Sequence, residues 1–136
     1  MLAMHKEVQQ KIIDEIDHFN EAEHGMIGND DLQNFPFMDL VIKETMRLFT
    51  AGGIVARETS QKVNLSGYTV PKGTILAICT HAMHRNPRFW GDDANEFKPE
   101  RFEPENIKNI NPHAYVPFSG GRRICIGMEL LIFVRL

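Results

Sequence analysis

The chain has 136 residues, 43% hydrophobic and 24% charged, with a formal net charge of −3. That is enough for one modest globular domain with one core, and the mildly acidic balance gives nucleic acid no electrostatic footing. Two cysteines, Cys79 and Cys125, do not make a secreted disulfide framework; no apolar run approaches the roughly 20 residues of a membrane span, and the first residues lead into a charged amphipathic pattern, not a signal peptide.

Val8, Ile12, Ile16 and Phe19 recur at steps of four, four and three, which predicts a helix with one buried face from Met1 to Phe19. Asn20 to Asn34 is polar, with Gly25, Gly28 and Asn29 as turn formers and Asp30 or Asp31 placed to cap a short following helix. A second helix is expected from Pro36 to about Phe49, with proline in its first turn and Leu40, Ile42, Met46 and Phe49 supplying apolar contact. On it Glu44 and Arg47 lie three residues apart and leave the same face. On an exposed surface such a pair is worth under about 1 kcal/mol.

A β region follows. Ile54 and Val55 precede Arg57; Val63 and Leu65 alternate with polar residues; Ser66-Gly67 turns the chain into Tyr68 and Val70. Val70-Pro71-Lys72-Gly73 has the proline and glycine of a β-turn. Thr74 to Thr80 is a continuous apolar run, expected as a strand buried on both sides, with Cys79 packing in the core. His81 and His84 fit a short helix ended by Pro87 better than a metal pair, since no second ligand cluster accompanies them. Arg85 to Asn111 is a long, polar, proline-marked connection carrying Trp90, expected as a meander held by packing.

Phe118 to Gly127 reads F-S-G-G-R-R-I-C-I-G and precedes the apolar run Met128 to Val134. This predicts a tight loop opening into a helix. Free amides at a helix start, with arginines nearby, stabilise negative charge, so Cys125 is expected as a thiolate. The residues leave two chemistries open, a soft metal ligand or a nucleophile beside a site for anionic groups. They also admit a buried small hydrophobe, or an anion-binding module on Gly120 to Arg123.

Phe118, Gly121, Arg123, Cys125 and Gly127 match F-x-x-G-x-R-x-C-x-G in phase. The pattern resembles the haem-binding loop of the cytochrome P-450 family, the haem-thiolate monooxygenases. The resemblance runs through nearly the whole chain in the family's order. The first helix resembles the J helix, with Lys6 where a proline is common. F-P-F-M-D followed by K-E-T-M-R-L resembles the K helix and its E-x-x-R. Phe97 to Phe102, F-K-P-E-R-F, puts Arg101 at the P-E-R-F arginine. The resemblance implies a mainly α fold with a small β-sheet region (α+β), from the J helix to the start of the L helix. Residues 1–136 would then be the C-terminal portion of one domain, incomplete at both ends.

By the same resemblance Cys125 is the iron ligand of haem b (iron protoporphyrin IX). Arg123 would pair with one haem propionate and Arg57 with the second, while Phe118 packs beside the thiolate on the proximal side. Gly121 and Gly127 would let the backbone approach sulfur and porphyrin. Gly53 stands where the family often has a proline, four residues before Arg57, which should loosen Ala51-Gly52-Gly53. Glu44, Arg47 and Arg101 would form a buried triad, assigned to fold maintenance, that pins the loop leading to Phe118. A buried carboxylate survives only with its partners satisfied, and the planar arginine fork suits that need.

The resemblance implies a parent monooxygenase that inserts one atom of O2 into a lipophilic substrate, with electrons from an NADPH-dependent flavin reductase. P-E-R-F and P-F-S-G-G-R-R are similar to microsomal animal members, which face the cytosol from an endoplasmic-reticulum membrane anchor that this chain does not contain. The distal helix that handles oxygen and protons is expected upstream of Met1. No catalytic residue is therefore assigned, and the isolated chain is expected to be inactive. The alternative is a truncated, non-enzymatic remnant lacking that helix.

Overall fold

The apolar stripe of the first helix needs a surface to bury against, and the second helix supplies it. In a computed structural model that describes residues 1–23 and 28–128, α1 spans Lys6–Glu23 after one 3-10 turn at Leu2–Met4, outrunning the expected end at Phe19. α2 spans Pro36–Leu48. Val8 and Ile12 pack with Phe35, Met38 and Val41 into one buried cluster, with Ile16 and Phe19 against it.

The buried face of α2 differs from the expected one. Met38, Val41 and Leu48 are the buried apolar positions, whereas Phe49 is 56% exposed. The helix serves two cores at once: Ile42 packs against the α1 cluster and Leu40 against a second cluster built around Trp90. One stripe at helical spacing could not reveal both.

Glu15 fixes the junction of these helices. Its carboxylate accepts the amides of Phe37 at 2.8 Å and Met38 at 3.0 Å. These donors belong to the first turn of α2, where no intrahelical partner exists. The Phe35 side chain at the N-cap cannot accept a hydrogen bond, so a carboxylate from α1 caps α2 and meets the positive end of its dipole. In the preceding segment, Asp31 accepts the Gly28 amide at 2.7 Å across the start of the 3-10 helix Asn29–Asn34. Gly25 and the side chain of Asp30 lie outside the described residues.

Four short strands form two antiparallel pairs. β1 (Val55–Glu58) pairs with β4 (Ile75–Ile78), Val55 opposite Ile78; β2 (Val63–Leu65) pairs with β3 (Tyr68–Val70), Val63 opposite Val70. Ser66 and Gly67 both take positive φ, 49° and 90°, the hairpin turn that matches strand twist. Thr59 bridges the region: its hydroxyl donates to the Pro71 carbonyl at 2.6 Å and accepts the Thr74 amide at 3.0 Å.

The expectation for Thr74 to Thr80 is corrected here. The strand is only Ile75–Ile78, and it is open: Ile75 is 70% and Ile78 50% exposed. β1 is its one strand partner among the described residues. Cys79 is exposed at the N-cap of α3 (Thr80–His84), not packed in a core. An apolar run marks a surface that can be buried, without saying what buries it. Ala51-Gly52-Gly53 is tied rather than loose: Thr80 Oγ1 donates to the Gly52 carbonyl at 2.8 Å and the His81 amide to Gly53 at 3.2 Å.

The long connection is organised by its prolines, each of which pre-sets φ for a first helical position. Pro87 opens α4 (Pro87–Trp90), Pro99 a 3-10 turn (Pro99–Phe102), Pro104 α5 (Pro104–Ile107) and Pro112 another 3-10 turn (Pro112–Ala114). Trp90, Ala94, Phe102 and Ala114 form the second buried cluster. The whole is helical with small antiparallel sheets, the α+β class expected. No helix of the described residues is long and apolar enough to cross a membrane. Met128 is the last described residue, so the expected helix over 128–134 otherwise lies outside them.

Glu15→Ala should lower the free energy of unfolding by about 1–2 kcal/mol, the scale of a lost cap with its dipole interaction. Glu15→Gln should cost less, because one oxygen still accepts. Urea midpoints measure both, and an unshifted midpoint for Glu15→Ala would remove the cap.

Candidate functional site

Arg47 and Glu44 are wholly buried. A buried guanidinium is tolerable when its five N–H donors have partners, and those of Arg47 do. Nε donates to Glu44 Oε2 at 2.7 Å and Nη2 to Glu44 Oε1 at 2.8 Å, a bidentate pair. The rest reach backbone carbonyls: Nη1 those of His84 and Ala94, both at 2.6 Å, and Nη2 that of Glu96 at 3.1 Å. The Trp90 ring lies against the guanidinium, 4.9 Å from its centroid.

Arg101 joins this cluster from the 3-10 turn Pro99–Phe102. Its Nε lies 3.5 Å from Glu44 Oε1, which also accepts the Lys98 amide at 2.8 Å. Nη1 donates to the Trp90 carbonyl at 3.0 Å and sits 2.7 Å from Asp93 Oδ1. The Arg101 guanidinium first, and the Lys98 ammonium second, hold the Asp93 carboxyl down at about 2. The structure thus gathers Glu44, Arg47 and Arg101. It adds Asp93 and Lys98, which the sequence reading did not single out.

His84 extends the cluster toward the cysteine loop. It is fully buried. Its Nε2 accepts the Val116 amide at 2.9 Å, so the proton sits on Nδ1, which faces Thr50 Oγ1 at 2.8 Å and the Arg47 carbonyl at 3.2 Å. Burial pushes the His84 pKa down; the Arg47 carbonyl opposes this in part, and the charges of Arg47 and His81 reinforce it. With both ring nitrogens engaged, His84 has no lone pair for a metal, which disposes of a pair with His81. No local pattern marks the bond with Val116, because the partner lies 32 residues away.

The cysteine loop closes on itself: the Cys125 amide donates to the Phe118 carbonyl at 2.9 Å. Between them Gly121–Arg123 makes one 3-10 turn, with φ of 65° at Ser119 and 73° at Gly121. Glycine accepts that conformation freely; Ser119 holds it under strain, a mark of functional loops that the sequence did not reveal. Cys125 is a free, exposed thiol flanked by Ile124 and Ile126, 45% and 101% exposed. A Cβ placed on Gly127 would sit 3.7 Å from the Cys125 sulfur, in van der Waals contact with it.

Arg57 on β1 is exposed, with Nη1 donating to the Ala56 carbonyl at 2.8 Å. It lines a cavity of about 390 Å³ together with His113, Val116, Ser119 and Gly120. The structure therefore brings Arg57 to the first half of the cysteine loop. Arg123 is exposed on the other half, and does not line that cavity. Phe118 is half-buried and lines a separate cavity of about 270 Å³ beside Met46, Ile124 and Met128. Among the described residues no three His, Cys, Asp or Glu side chains gather as a metal site. An accessible thiol among cations and bare aliphatic side chains can ligate a soft metal or act as a nucleophile.

Comparison with known proteins bears on that choice. The family model described as Cytochrome P450 matches residues 1–131. The chain is 42% identical over 132 residues to cytochrome P450 4V2 of Mus musculus, covering 97% of this chain and 25% of that protein. It is 43% identical over 131 residues to probable cytochrome P450 313a1 of Drosophila melanogaster (95% and 27%). It is 39% identical over 132 residues to cytochrome P450 3A6 of Oryctolagus cuniculus (97% and 26%). The chain spans about a quarter of the length of these relatives.

Removing one partner of the buried pair strands the other charge. Glu44→Ala or Arg47→Ala should each cost about 3–5 kcal/mol, read as a fall in melting temperature. The pH dependence carries two separate signatures. Asp93 has a depressed folded pKa, so its contribution is full above the ordinary value of 3.8 and is lost as pH falls toward about 2. His84 is also depressed, so its contribution is full above 6.5 and declines as pH falls below that value. Unfolding free energy measured from neutral to acid pH should decline in both windows, and Asp93→Asn should flatten only the lower one.

Proposed function

Because the chain belongs to the cytochrome P450 family, we propose that it forms the haem-binding part of a monooxygenase that inserts one oxygen atom of O2 into a lipophilic organic substrate. The observation that carries this is the exposed Cys125 thiol, in a loop closed by its own amide and flanked by bare Ile124 and Ile126. A flat, apolar, metal-bearing group with anionic edges needs a soft donor, aliphatic contact and nearby cations, and this loop with Arg57 and Arg123 offers all three. Haem b bound there would supply the oxygen-activating iron, whose thiolate ligand pushes electron density in the direction that favours O–O cleavage.

The roles of the residues follow. Cys125 holds the iron through sulfur, and the bond from its amide to Phe118 fixes the direction in which that sulfur leaves the backbone. Arg57 and Arg123 each neutralise one propionate. Phe118 shields the sulfur side of the loop, while Gly121 and Gly127 keep backbone and sulfur accessible. Glu44, Arg47 and Arg101 hold the chain that delivers the loop and touch no reacting atom. On this reading residues 1–136 are the C-terminal portion of one domain, joined to an endoplasmic-reticulum membrane anchor outside this chain. An NADPH-dependent flavin reductase supplies the electrons.

The full-length protein, reduced with dithionite under CO, should show the Soret band of a thiolate-ligated haem. Cys125→Ala should abolish it; a retained band removes Cys125 as the ligand. Arg57→Ala should speed haem loss about tenfold, the effect of a lost charged hydrogen bond, timed by transfer to an apo-globin acceptor.

A further inference from the structure

We propose that His84 is a positioning residue for the cysteine loop, holding the turn that carries Cys125 through the bond between its Nε2 and the Val116 amide. The proposal rests on the haem-thiolate reading above. Three hydrogen bonds lead from the imidazole to the sulfur-bearing residue. Val116 N–H donates to His84 Nε2 at 2.9 Å. The Ser119 amide donates to the Val116 carbonyl at 3.1 Å, and the Cys125 amide to the Phe118 carbonyl at 2.9 Å. Val116 is thus held at both its amide and its carbonyl, and the strained φ of 65° at Ser119 sits inside the turn so fixed.

The other side of the ring is anchored as firmly. Nδ1 meets Thr50 Oγ1 and the Arg47 carbonyl at the end of α2, and Arg47 in turn donates to the backbone carbonyl of His84. The ring packs 5.6 Å from that of Tyr115, and His81 and Arg47 are the charged groups that act on it. The Val116 amide is part-buried, so an acceptor lost there is a hydrogen bond lost at a site that water only partly reaches. Tyr115 makes a parallel tie, its hydroxyl donating to the Lys43 carbonyl at 3.1 Å. That tie leaves the Val116 amide untouched.

Two substitutions separate positioning from bulk stability. Glutamine can place a side-chain oxygen where Nε2 lies, while asparagine reaches only as far as Nδ1. In the full-length haem protein, His84→Gln should keep the thiolate-type Soret band of the reduced CO complex. His84→Asn, at equal haem content, should convert several-fold more of it to the thiol-type band. Equal spectra for wild type and His84→Asn, or equal defects in both variants, would overturn the proposal. Amide exchange at Val116 in the wild type serves if neither variant folds: slow exchange supports the bond, and exchange at the rate of an open loop ends it. A wild-type protein without a thiolate-type band refutes the haem reading itself, and with it this role.

Discussion

Everything in this chain hangs on a carboxylate that water cannot reach. Glu44 is wholly buried and answered by three donors, the two of the Arg47 fork and the amide of Lys98, with the Arg101 guanidinium 3.5 Å away as a second opposite charge. Two charges removed from water repel folding unless their partners are complete. Completeness is what the surrounding chain provides, because it offers three carbonyls to Arg47 at the points where α3, the segment after α4 and the approach to Lys98 pass by. The irregular connection has little regular structure of its own, and it takes its path from these bonds.

From that anchor the chain grades into exposure. His84 is buried, Val116 half-buried, and Cys125 open. The order suits a site that must present one atom outward with a fixed direction. Rigid material lies behind the loop, where the Arg47 and His84 bonds converge. Strained or glycine-borne backbone lies within it, at Ser119 and Gly121. Binding chemistry then needs few groups, because the loop's direction is set by parts of the chain that meet no ligand.

Local pattern made much of this readable. The steps of Val8, Ile12, Ile16 and Phe19 gave α1, Pro36 gave the start of α2, and Ser66-Gly67 gave the hairpin turn. E-x-x-R, P-E-R-F and the cysteine loop pointed to residues that the fold gathers or exposes. What could not be read was whatever depended on a distant partner. Glu15 looks like one more charge on a solvated helix face, and only the position of Phe37 makes it a cap. His84 looks like half of a helical histidine pair until Val116 arrives at its ring. Cys79 and Ile75 have apolar neighbours in sequence yet stand exposed, because burial is decided by neighbours in space.

The three carbonyls on Arg47 have a kinetic side. They lie 37, 47 and 49 residues further along the chain. Loop-closure entropy grows only slowly over such lengths, so no one of these contacts is much easier to make than the others, and each alone repays little of the guanidinium's lost hydration. The hairpin of β2 and β3 pairs sequence neighbours and can form early. Arg47 must stay hydrated until distant strands of the connection converge on it together. Maturation of the connection is therefore a late, collective event, and the segment between His84 and Arg101 should open as one cooperative unit rather than fray turn by turn.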